Sequence, residues 1–326
     1  MKRYIRKRYC GPEGLEVVNI PTPEPAEDEV LVKVQATSIN PADSHTMRGT
    51  PYFYRLMLGV SRPKNPKLGA DLSGIIEKIG ANVNQWQVGD EVFSDILSVG
   101  AGAFGEYICV KQQHLVRKPN GISHQAAAAV PLAGITALQS VTSNGSLKPG
   151  QQVMIIGAGG GVGTFLVQLA KHYGAEVTAV CSTGKAEKVK MLGATEIIDY
   201  TREDYRNCQK AFDFIIDAVG NCSASTAKKL LKPNGTCLLI GWGGFGHLIS
   251  YMLYGWWIGL RTDRKISILT AQFSTADLST LGSLIEAGAI VPVIDKIYSF
   301  KELPQAIAYQ ELGHSGGKVV VTLSNE

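Results

Sequence analysis

The sequence predicts an α/β protein in which a mainly β domain accompanies a domain built on a doubly wound parallel sheet. Residues up to about 120 form short alternating runs separated by glycines, a pattern typical of strands and turns. From Gln151 onward, strand-like and helix-like runs alternate, which indicates parallel strands covered on both faces. The pattern changes near Ser123, where helix-like segments follow the strand-like runs. Further along, an apolar run leads into a glycine-rich turn at 157–163.

In the first domain, residues 30–34 alternate between apolar and polar like a half-buried strand, and 72–79 and 91–93 are similar. The basic start at residues 2–8 is followed by no apolar segment of the kind a signal peptide carries. We therefore expect a charged first strand or a frayed terminus there, with a targeting or nucleic-acid segment as the alternative.

The second domain is predicted to contain five strands with helices between them. The expected strands are 153–156, 176–181, 196–198, 212–218 and 236–240. The expected helices are 125–129, 135–142, 164–173, 185–192, 223–231 and 279–287, and residues 318–323 form a closing strand.

The composition is that of an ordinary globular protein, with 45% hydrophobic and 18% charged residues among 326. The net charge of +4 is too small to indicate a nucleic-acid partner. The six cysteines are scattered without a Cys-x-x-Cys pair, which favours reduced thiols and a cytoplasmic location. No run has the roughly 18 apolar residues that a bilayer requires, so no integral membrane segment is expected. The apolar residues 248–260 are interpreted as a pocket wall or subunit contact, with peripheral membrane attachment as the alternative.

The glycine-rich turn is the strongest functional signal, because a strand precedes it and an amphipathic helix follows it. In that context glycines let the backbone approach a pyrophosphate, and the helix N-terminus offers its N–H groups to the phosphates. An ordinary tight turn is the alternative. The residues expected to bind the dinucleotide are Ala158, Gly159, Gly160, Gly161, Val162 and Gly163.

The second strand of this domain ends in residues that favour NADPH over NADH. Ser182, Thr183 and Lys185 can donate to a 2′-phosphate, and along the chain no carboxylate follows until Glu187. Ser182 and Thr183 could instead, or in addition, cap the next helix. Tyr200 could close over the same phosphate, or be an ordinary aromatic residue at a strand end.

No metal site or hydrolase nucleophile is evident in the sequence. None of the six histidines stands in a His-x-x-x-His pair or near two cysteines, and there is no Gly-x-Ser-x-Gly elbow. Hydride transfer needs neither, since the cofactor performs the difficult step.

Short motifs along nearly the whole chain carry a family resemblance. They include Ser38-Ile39-Asn40-Pro41-Ala42-Asp43, Gly69-Ala70-Asp71-Leu72-Ser73-Gly74, Gly89-Asp90-Glu91-Val92-Phe93, Leu192-Gly193-Ala194 and Gly317-Lys318-Val319-Val320. The chain resembles the medium-chain dehydrogenase/reductase superfamily, in its zinc-free quinone oxidoreductase branch. The resemblance implies a GroES-like β domain at 1–123, completed by 289–326, and a Rossmann NADPH-binding domain at 124–288.

The resemblance also implies that no catalytic zinc is bound. Zinc-dependent relatives place a cysteine where this chain has Asn40, His-Glu where it has Ala70-Asp71, and a cysteine near Leu132. Residues 94–105, where a four-cysteine structural lobe would fall, contain no cysteine. Without a Lewis acid a plain ketone is harder to reduce, and quinones and conjugated enones become the favoured acceptors.

The same resemblance assigns roles to individual residues. Asn40 is expected to donate to a carbonyl oxygen as charge develops, unless it only shapes a turn with Pro41. His45 could supply a proton, or be a surface or packing histidine. Further cofactor contacts are expected from Thr136, Gly241 and Lys318, the last of which would by default be a surface lysine. An aromatic mouth for flat substrates could combine 52–55 with Trp242, Phe245, Trp256 and Trp257, and packing in the core is the alternative.

The expected function is zinc-independent, NADPH-dependent hydride transfer to a quinone or another activated carbonyl compound. A 2-alkenal or enone reductase and a non-zinc alcohol dehydrogenase are alternatives within enzymes. An NADPH-binding structural or adaptor protein without turnover is an alternative of another class. A homodimer is expected, with 266–269 as a candidate sheet edge, and no nucleic-acid partner.

Overall fold

The structure, a computed structural model, describes residues 1–142, 147–241 and 245–323, without the side chains of 245–248, 250, 256 and 257. The chain divides into two compact units, one comprising 1–135 with 273–326 and the other 136–272. The first unit is built on antiparallel strands and the second on a parallel sheet. The α/β fold class expected from the sequence is confirmed.

The strands in the described ranges are β1 (Lys2–Ile5), β2 (Glu16–Asn19), β3 (Glu29–Ile39), β4 (Asp71–Ile79), β5 (Glu91–Asp95), β6 (Tyr107–Lys111), β7 (Val116–Arg117), β8 (Gln152–Ile156), β9 (Glu176–Cys181), β10 (Glu196–Asp199), β11 (Phe212–Asp217), β12 (Leu231–Leu239), β13 (Lys265–Ile268), β14 (Ile294–Ser299) and β15 (Lys318–Thr322). The α-helices are α1 (Pro41–Arg48), α2 (Tyr54–Leu58), α3 (His124–Ala128), α4 (Pro131–Thr142), α5 (Gly161–His172), α6 (Thr183–Leu192), α7 (Ala224–Leu230), α8 (Phe245–Arg261), α9 (Thr275–Glu286) and α10 (Leu303–Glu311).

The main sheet of the first unit has the order β14-β15-β3-β4-β5-β7, and β6 pairs with β3. Residues 2–5 of the basic start form strand β1, which pairs with β2. Strand β15 runs antiparallel to β3 with Val319 opposite Ile39, and β4 places Asp71 opposite Ser38. This register brings the end of β3 and the starts of β4 and β15 to one place in the sheet.

The boundaries of the compact units differ from the predicted ones at 123/124 and 288/289. Helix α3 packs on β3, β4 and β15, and α9 packs against β7, so both helices group with the first unit. Their alanine-rich and leucine-rich faces cover a β-sheet. The pattern of apolar and polar residues cannot distinguish helices that cover this sheet from helices of the neighbouring unit.

The second unit contains a six-stranded parallel sheet of order β10-β9-β8-β11-β12-β13. Strand β9 has the predicted bounds. Strand β12 begins at Leu231 rather than at 236, because Leu231 already pairs with Phe212 before an irregularity in the register. Helix α5 buries Phe165, Leu166 and Leu169 completely. The apolar periodicity of 164–173 therefore marks the face that packs on the sheet.

The apolar segment 248–260 lies within helix α8, which packs on β13 through buried Tyr251 and Ile258. Met252, Leu253 and Leu260 on the same helix are more than half exposed. Within the described ranges, no helix combines the length and apolar character that crossing a bilayer demands. Strand β13, which includes most of the candidate edge at 266–269, is the last strand of its sheet.

Candidate functional site

A buried carboxylate, Asp71, organises the polar site of the first unit. The side chain is fully buried at the start of β4 and accepts hydrogen bonds on both oxygens. Its Oδ1 accepts the backbone N–H of Leu132 at 2.9 Å. Its Oδ2 accepts from Ser38 Oγ at 2.6 Å and from Asn40 Nδ2 at 2.9 Å. Lys318 Nζ lies 3.4 Å from the same oxygen. One carboxylate thereby joins β3, β4, β15 and the start of α4.

Asn40 occupies the turn between β3 and α1, where it is the N-cap residue of the helix. Its backbone N–H donates to Asp43 Oδ2 at 2.9 Å, which closes the first turn of α1. Its side-chain oxygen accepts a hydrogen bond from Lys318 Nζ, and its side-chain nitrogen donates to Asp71. Asn40 therefore shapes the turn, as the alternative interpretation expects, while its amide is held within a charged network.

Lys318 is only 3% exposed, so the default expectation of a surface lysine is wrong. The residue begins β15, whose antiparallel pairing with β3 carries the ammonium to Asn40 and Asp71. A buried ammonium requires partners of this kind, since an unpaired buried charge is strongly destabilising. Its predicted contact with the cofactor stays a prediction.

Two further carboxyl groups border this network. Burial raises the pKa of Asp43 to about 7, against the stabilising hydrogen bond from the Asn40 backbone, and the Asp71 charge adds to the increase. Burial and the Asp71 charge likewise raise the pKa of Asp95 to about 7. Asp71 and Asp95 face each other across β4 and β5. Burial thus disfavours the ionised forms of both Asp43 and Asp95.

His45 lies on α1, one turn beyond the start of the helix. Burial lowers the pKa of its imidazole below the usual 6.5, although a hydrogen bond to the Thr50 backbone and the charge of Glu311 oppose the change. Burial therefore favours the neutral form of the imidazole. Its proposed role in proton supply stays a prediction.

In the second unit the glycine-rich turn connects β8 to α5. Gly157 has a φ of +80°, which favours glycine, and a Cβ on Gly163 would lie 2.7 Å from the Ala158 carbonyl carbon. Helix α5 begins at Gly161, so the N–H groups of its first turn lack acceptors within the helix. The turn has the close backbone approach and the donors without helical acceptors that a pyrophosphate site requires.

Lys185 lies beside this turn: a Cβ on Gly159 would come within 2.6 Å of Lys185 Cδ. Ser182 is the N-cap residue of α6 but its side chain makes no capping hydrogen bond. The structure thus brings Gly159 and Lys185 together, although they are far apart in the sequence. This combination can receive a phosphorylated ligand.

Asp199, at the end of β10, was missed by the sequence analysis. It lies opposite Cys181 in the register of β9 and β10, and it accepts a hydrogen bond from the Thr183 hydroxyl. Its other oxygen accepts from Thr201 Oγ1 at 2.7 Å. These hydroxyl hydrogen bonds lower the pKa of Asp199, so it carries a full negative charge. The sequence pattern for NADH places an acid directly after the second strand, whereas Asp199 lies at the end of the neighbouring strand β10.

The remaining predicted residues lie at separate places. Tyr200 follows Asp199 and is 54% exposed. A Cβ on Gly241 would lie 2.7 Å from Ala218 O, so the close passage of backbone there requires glycine. Thr136 is buried in α4. Of the proposed aromatic mouth, residues 52–55 are described, Trp242 lies outside the described residues, and the side chains of 245, 256 and 257 are not described.

The positions at which the resemblance would place zinc ligands do converge, since Asp71 contacts both Asn40 and Leu132. The residues present do not fit zinc, because Asn40, Ala70 and Leu132 supply neither thiolate nor imidazole. Over the described ranges, no group of three or more His, Cys, Asp or Glu side chains is arranged to hold a metal ion.

Two family models match the chain. The alcohol dehydrogenase GroES-like domain matches residues 26–120, and the zinc-binding dehydrogenase model matches residues 192–321. The mitochondrial NAD(P)H oxidoreductase RTN4IP1 of Mus musculus is 33% identical over 91% of this chain and 82% of its own length. The chloroplastic NADPH-dependent alkenal/one oxidoreductase of Arabidopsis thaliana is 32% identical over 98% of this chain and 79% of its own length.

Solved structures resemble the chain over nearly its full length. The quinone oxidoreductase from Coxiella burnetii has a TM-score of 0.88 and 29% identity, with 99% of both chains covered. The sequence and structure comparisons therefore agree on the same group of proteins.

Gly163→Ala should disrupt the glycine turn, because the new methyl group would overlap the Gly157 carbonyl oxygen and the Ala158 backbone. We expect a loss of about 1–3 kcal/mol in the free energy of unfolding and at least tenfold weaker NADPH binding. Chemical unfolding and quenching of protein fluorescence by NADPH measure the two effects. Gly259→Ala, at an open helical position, is the control and should be neutral or slightly stabilising. Unchanged NADPH affinity in Gly163→Ala would contradict the assignment of the turn.

Asp43 should make stability depend on pH between about 4 and 7. The folded protein retains a proton on this carboxyl where the unfolded chain has lost it, so the unfolding free energy falls as pH rises through this range. Asp43→Asn removes this contribution. Between pH 5 and pH 8 the unfolding free energy of the variant should therefore rise by on the order of 2–4 kcal/mol relative to that of the parent. Equilibrium unfolding in urea at both pH values tests this.

The control for Asp43 is Asp204→Asn, at an exposed carboxyl whose pKa is lowered by hydrogen bonds from Arg206. This group stays ionised from pH 5 to pH 8, so the same comparison should give no change. Equal behaviour of the two variants would show that Asp43 titrates like an exposed carboxyl.

Proposed function

Because the chain belongs to the medium-chain dehydrogenase/reductase superfamily, in its zinc-free quinone oxidoreductase-like branch, we propose that it transfers a hydride from NADPH to a quinone or another activated carbonyl compound. An oxidoreductase of this family uses a nicotinamide cofactor, and the finer choices of cofactor and acceptor are the proposal. The observation that carries it is the Asn40 amide, held in a buried charged network at the start of α1.

Asn40 is the residue that we assign to polarise the acceptor. A primary amide has two N–H donors, and Asn40 Nδ2 donates one of them to Asp71 Oδ2. In the proposed reaction the second N–H donates to a substrate oxygen as negative charge develops on it. An amide held in place before the reaction loses little entropy when it makes this bond.

NADPH, when bound, supplies the hydride. The chain's own residues bind and orient: the backbone of 157–163 and the start of α5 hold the pyrophosphate, with Lys185 at the 2′-phosphate. Thr136, Gly241 and Tyr200 are proposed cofactor contacts in the same unit. A cofactor contact of Lys318, in the other unit, is also predicted, and its ammonium donates to Asn40 and lies 3.4 Å from Asp71. His45 is the proposed proton source for a quinone's second oxygen.

The absence of soft ligands at Asn40, Ala70 and Leu132 supports an acceptor that needs no Lewis acid. Conjugation in a quinone or enone spreads the developing charge, so one hydrogen-bond donor can assist the step. The name of the Arabidopsis relative, an NADPH-dependent alkenal/one oxidoreductase, supports an enal or enone as the second candidate acceptor. A non-zinc alcohol dehydrogenase is the third.

The cofactor preference rests on opposing charges. Lys185 and the Ser182 hydroxyl, which makes no capping hydrogen bond, favour a 2′-phosphate. The Asp199 carboxylate repels a phosphate and accepts the hydrogen bond of the Thr183 hydroxyl. The positive side chain favours NADPH, and Asp199 weakens that preference. A homodimer paired through the edge of β13, and a cytoplasmic location, stay predictions.

Turnover is tested with NADPH or NADH against 9,10-phenanthrenequinone, 1,4-benzoquinone, a 2-alkenal, an enone and a simple aldehyde, measured as loss of absorbance at the nicotinamide. We expect activity with quinones or enones, and none with the aldehyde. Tight NADPH binding without reduction of any acceptor would favour a structural or adaptor protein. Aldehyde reduction alone would favour the alcohol dehydrogenase.

Two substitutions at the adenosine end should change the cofactor preference in opposite directions. Lys185→Ala removes the positive charge and should weaken NADPH binding about tenfold while NADH binding is unaffected. Asp199→Asn removes the repulsion and should strengthen NADPH binding severalfold. Isothermal titration of each variant with both cofactors measures this, and Lys190→Ala on the same helix is the control. The 2′-phosphate assignment is wrong if Lys185→Ala retains the parental ratio of affinities.

A further inference from the structure

The Asn40 amide lies between two side chains of opposite charge. Lys318 Nζ donates to its oxygen, and its nitrogen donates to Asp71 Oδ2 at 2.9 Å. All three residues are at most 3% exposed, so water competes little for these hydrogen bonds. The arrangement gives each end of the amide the partner that its own polarity requires.

The opposite orientation of the amide is electrostatically excluded. Rotation by 180° would direct the amide oxygen at the Asp71 carboxylate and the N–H groups at the Lys318 ammonium. Two attractive contacts would become two repulsive ones in a site of low dielectric. A neutral pair of neighbours would provide no comparable discrimination between the two orientations.

The charges are themselves fixed by the fold. Asp71 is anchored by Ser38 Oγ at 2.6 Å and by the Leu132 backbone N–H at 2.9 Å, on β3 and at the start of α4. Lys318 is carried by β15, whose register with β3 sets Val319 opposite Ile39. Neither charge can move without disturbing the sheet that holds Asn40.

We propose that Lys318 and Asp71 are positioning residues for hydride transfer, which act by fixing the direction in which the Asn40 amide presents its N–H to the acceptor. This inference rests on the proposed function of Asn40. It differs from the prediction that Lys318 contacts the cofactor, because Lys318 acts through Asn40 and not on a ligand.

A double-mutant cycle separates these two roles. Kinetics are compared for the parent, Asn40→Ala, Lys318→Met and the double variant, with the affinity for NADPH measured by fluorescence quenching. We expect kcat/KM to fall about 100-fold in Asn40→Ala and about tenfold in Lys318→Met, with the affinity for NADPH unchanged. The double variant should match Asn40→Ala, since Lys318 has no role once the amide is absent. The proposal would be overturned if the fall in kcat/KM of the double variant were the product of the two single falls. Weaker NADPH binding in Lys318→Met would overturn it as well.

The matched control is Lys118→Met. Lys118 is also a buried lysine of the first unit, and it pairs with Glu91 at 3.1 Å and donates to the Ile122 carbonyl. Its replacement should lower stability and leave kcat/KM unchanged. An equal fall in kcat/KM would show that any buried lysine of this unit has the same effect.

Lys318→Met leaves Asp71 without its cation and could fail to fold. Two further variants keep the test valid: Lys318→Arg retains the positive charge, and Lys318→Met with Asp71→Asn removes both charges together. The first should recover most of the parental kcat/KM, and the second should fold while its kcat/KM falls at least tenfold. Full activity in the neutral pair would overturn the proposal.

The orientation of the amide can also be observed without turnover. In protein labelled with ¹⁵N-asparagine, the Asn40 side-chain resonances are identified by their loss in Asn40→Ala. We expect them to be protected from solvent exchange in the parent and to shift and lose protection in Lys318→Met but not in Lys118→Met. Unchanged resonances in Lys318→Met would overturn the proposal. If no acceptor is reduced but these shifts occur, the proposed function fails and the positioning of Asn40 stands.

Discussion

The site of the first unit depends on the buried carboxylate of Asp71. A fully buried charge is tolerated only where enough donors surround it, and Asp71 has Ser38, Asn40, Leu132 and Lys318. These donors come from β3 and the turn that follows it, from the start of β15 and from the start of α4, so the carboxylate on β4 holds the parts of the site together. The orientation of Asn40, and with it the proposed chemistry, follows from that charge.

In the second unit, the proposed function requires the backbone to approach a phosphorylated ligand closely. The lack of side chains at Gly157 and Gly163 permits the turn, and the start of α5 provides unpaired donors. Lys185 lies beside the turn, and Asp199 carries the opposite charge at the end of β10. In the proposed function the first unit orients the acceptor through the Asn40 amide, and the second binds the cofactor through backbone donors and charge.

Much of the fold could be predicted, because periodicity marks single elements: the bounds of β9 and the turn at 157–163 were both evident from the sequence. The partners of Asn40 were not, since Lys318 is 278 residues away and joins it only through the register of β15 with β3. A lysine in an apolar strand was the available signal, and its burial went unrecognised. Asp199 was missed for the same reason, because it meets Thr183 only across neighbouring parallel strands.

The central claim is that a fixed N–H donor at Asn40 assists hydride transfer to a carbonyl oxygen. The direct measurement is the single-turnover rate of nicotinamide oxidation in Asn40→Ser and in the parent, each saturated with NADPH and mixed with 9,10-phenanthrenequinone. We predict a fall of about 100-fold in the rate with an unchanged dissociation constant for NADPH. An unchanged rate in Asn40→Ser would contradict the claim.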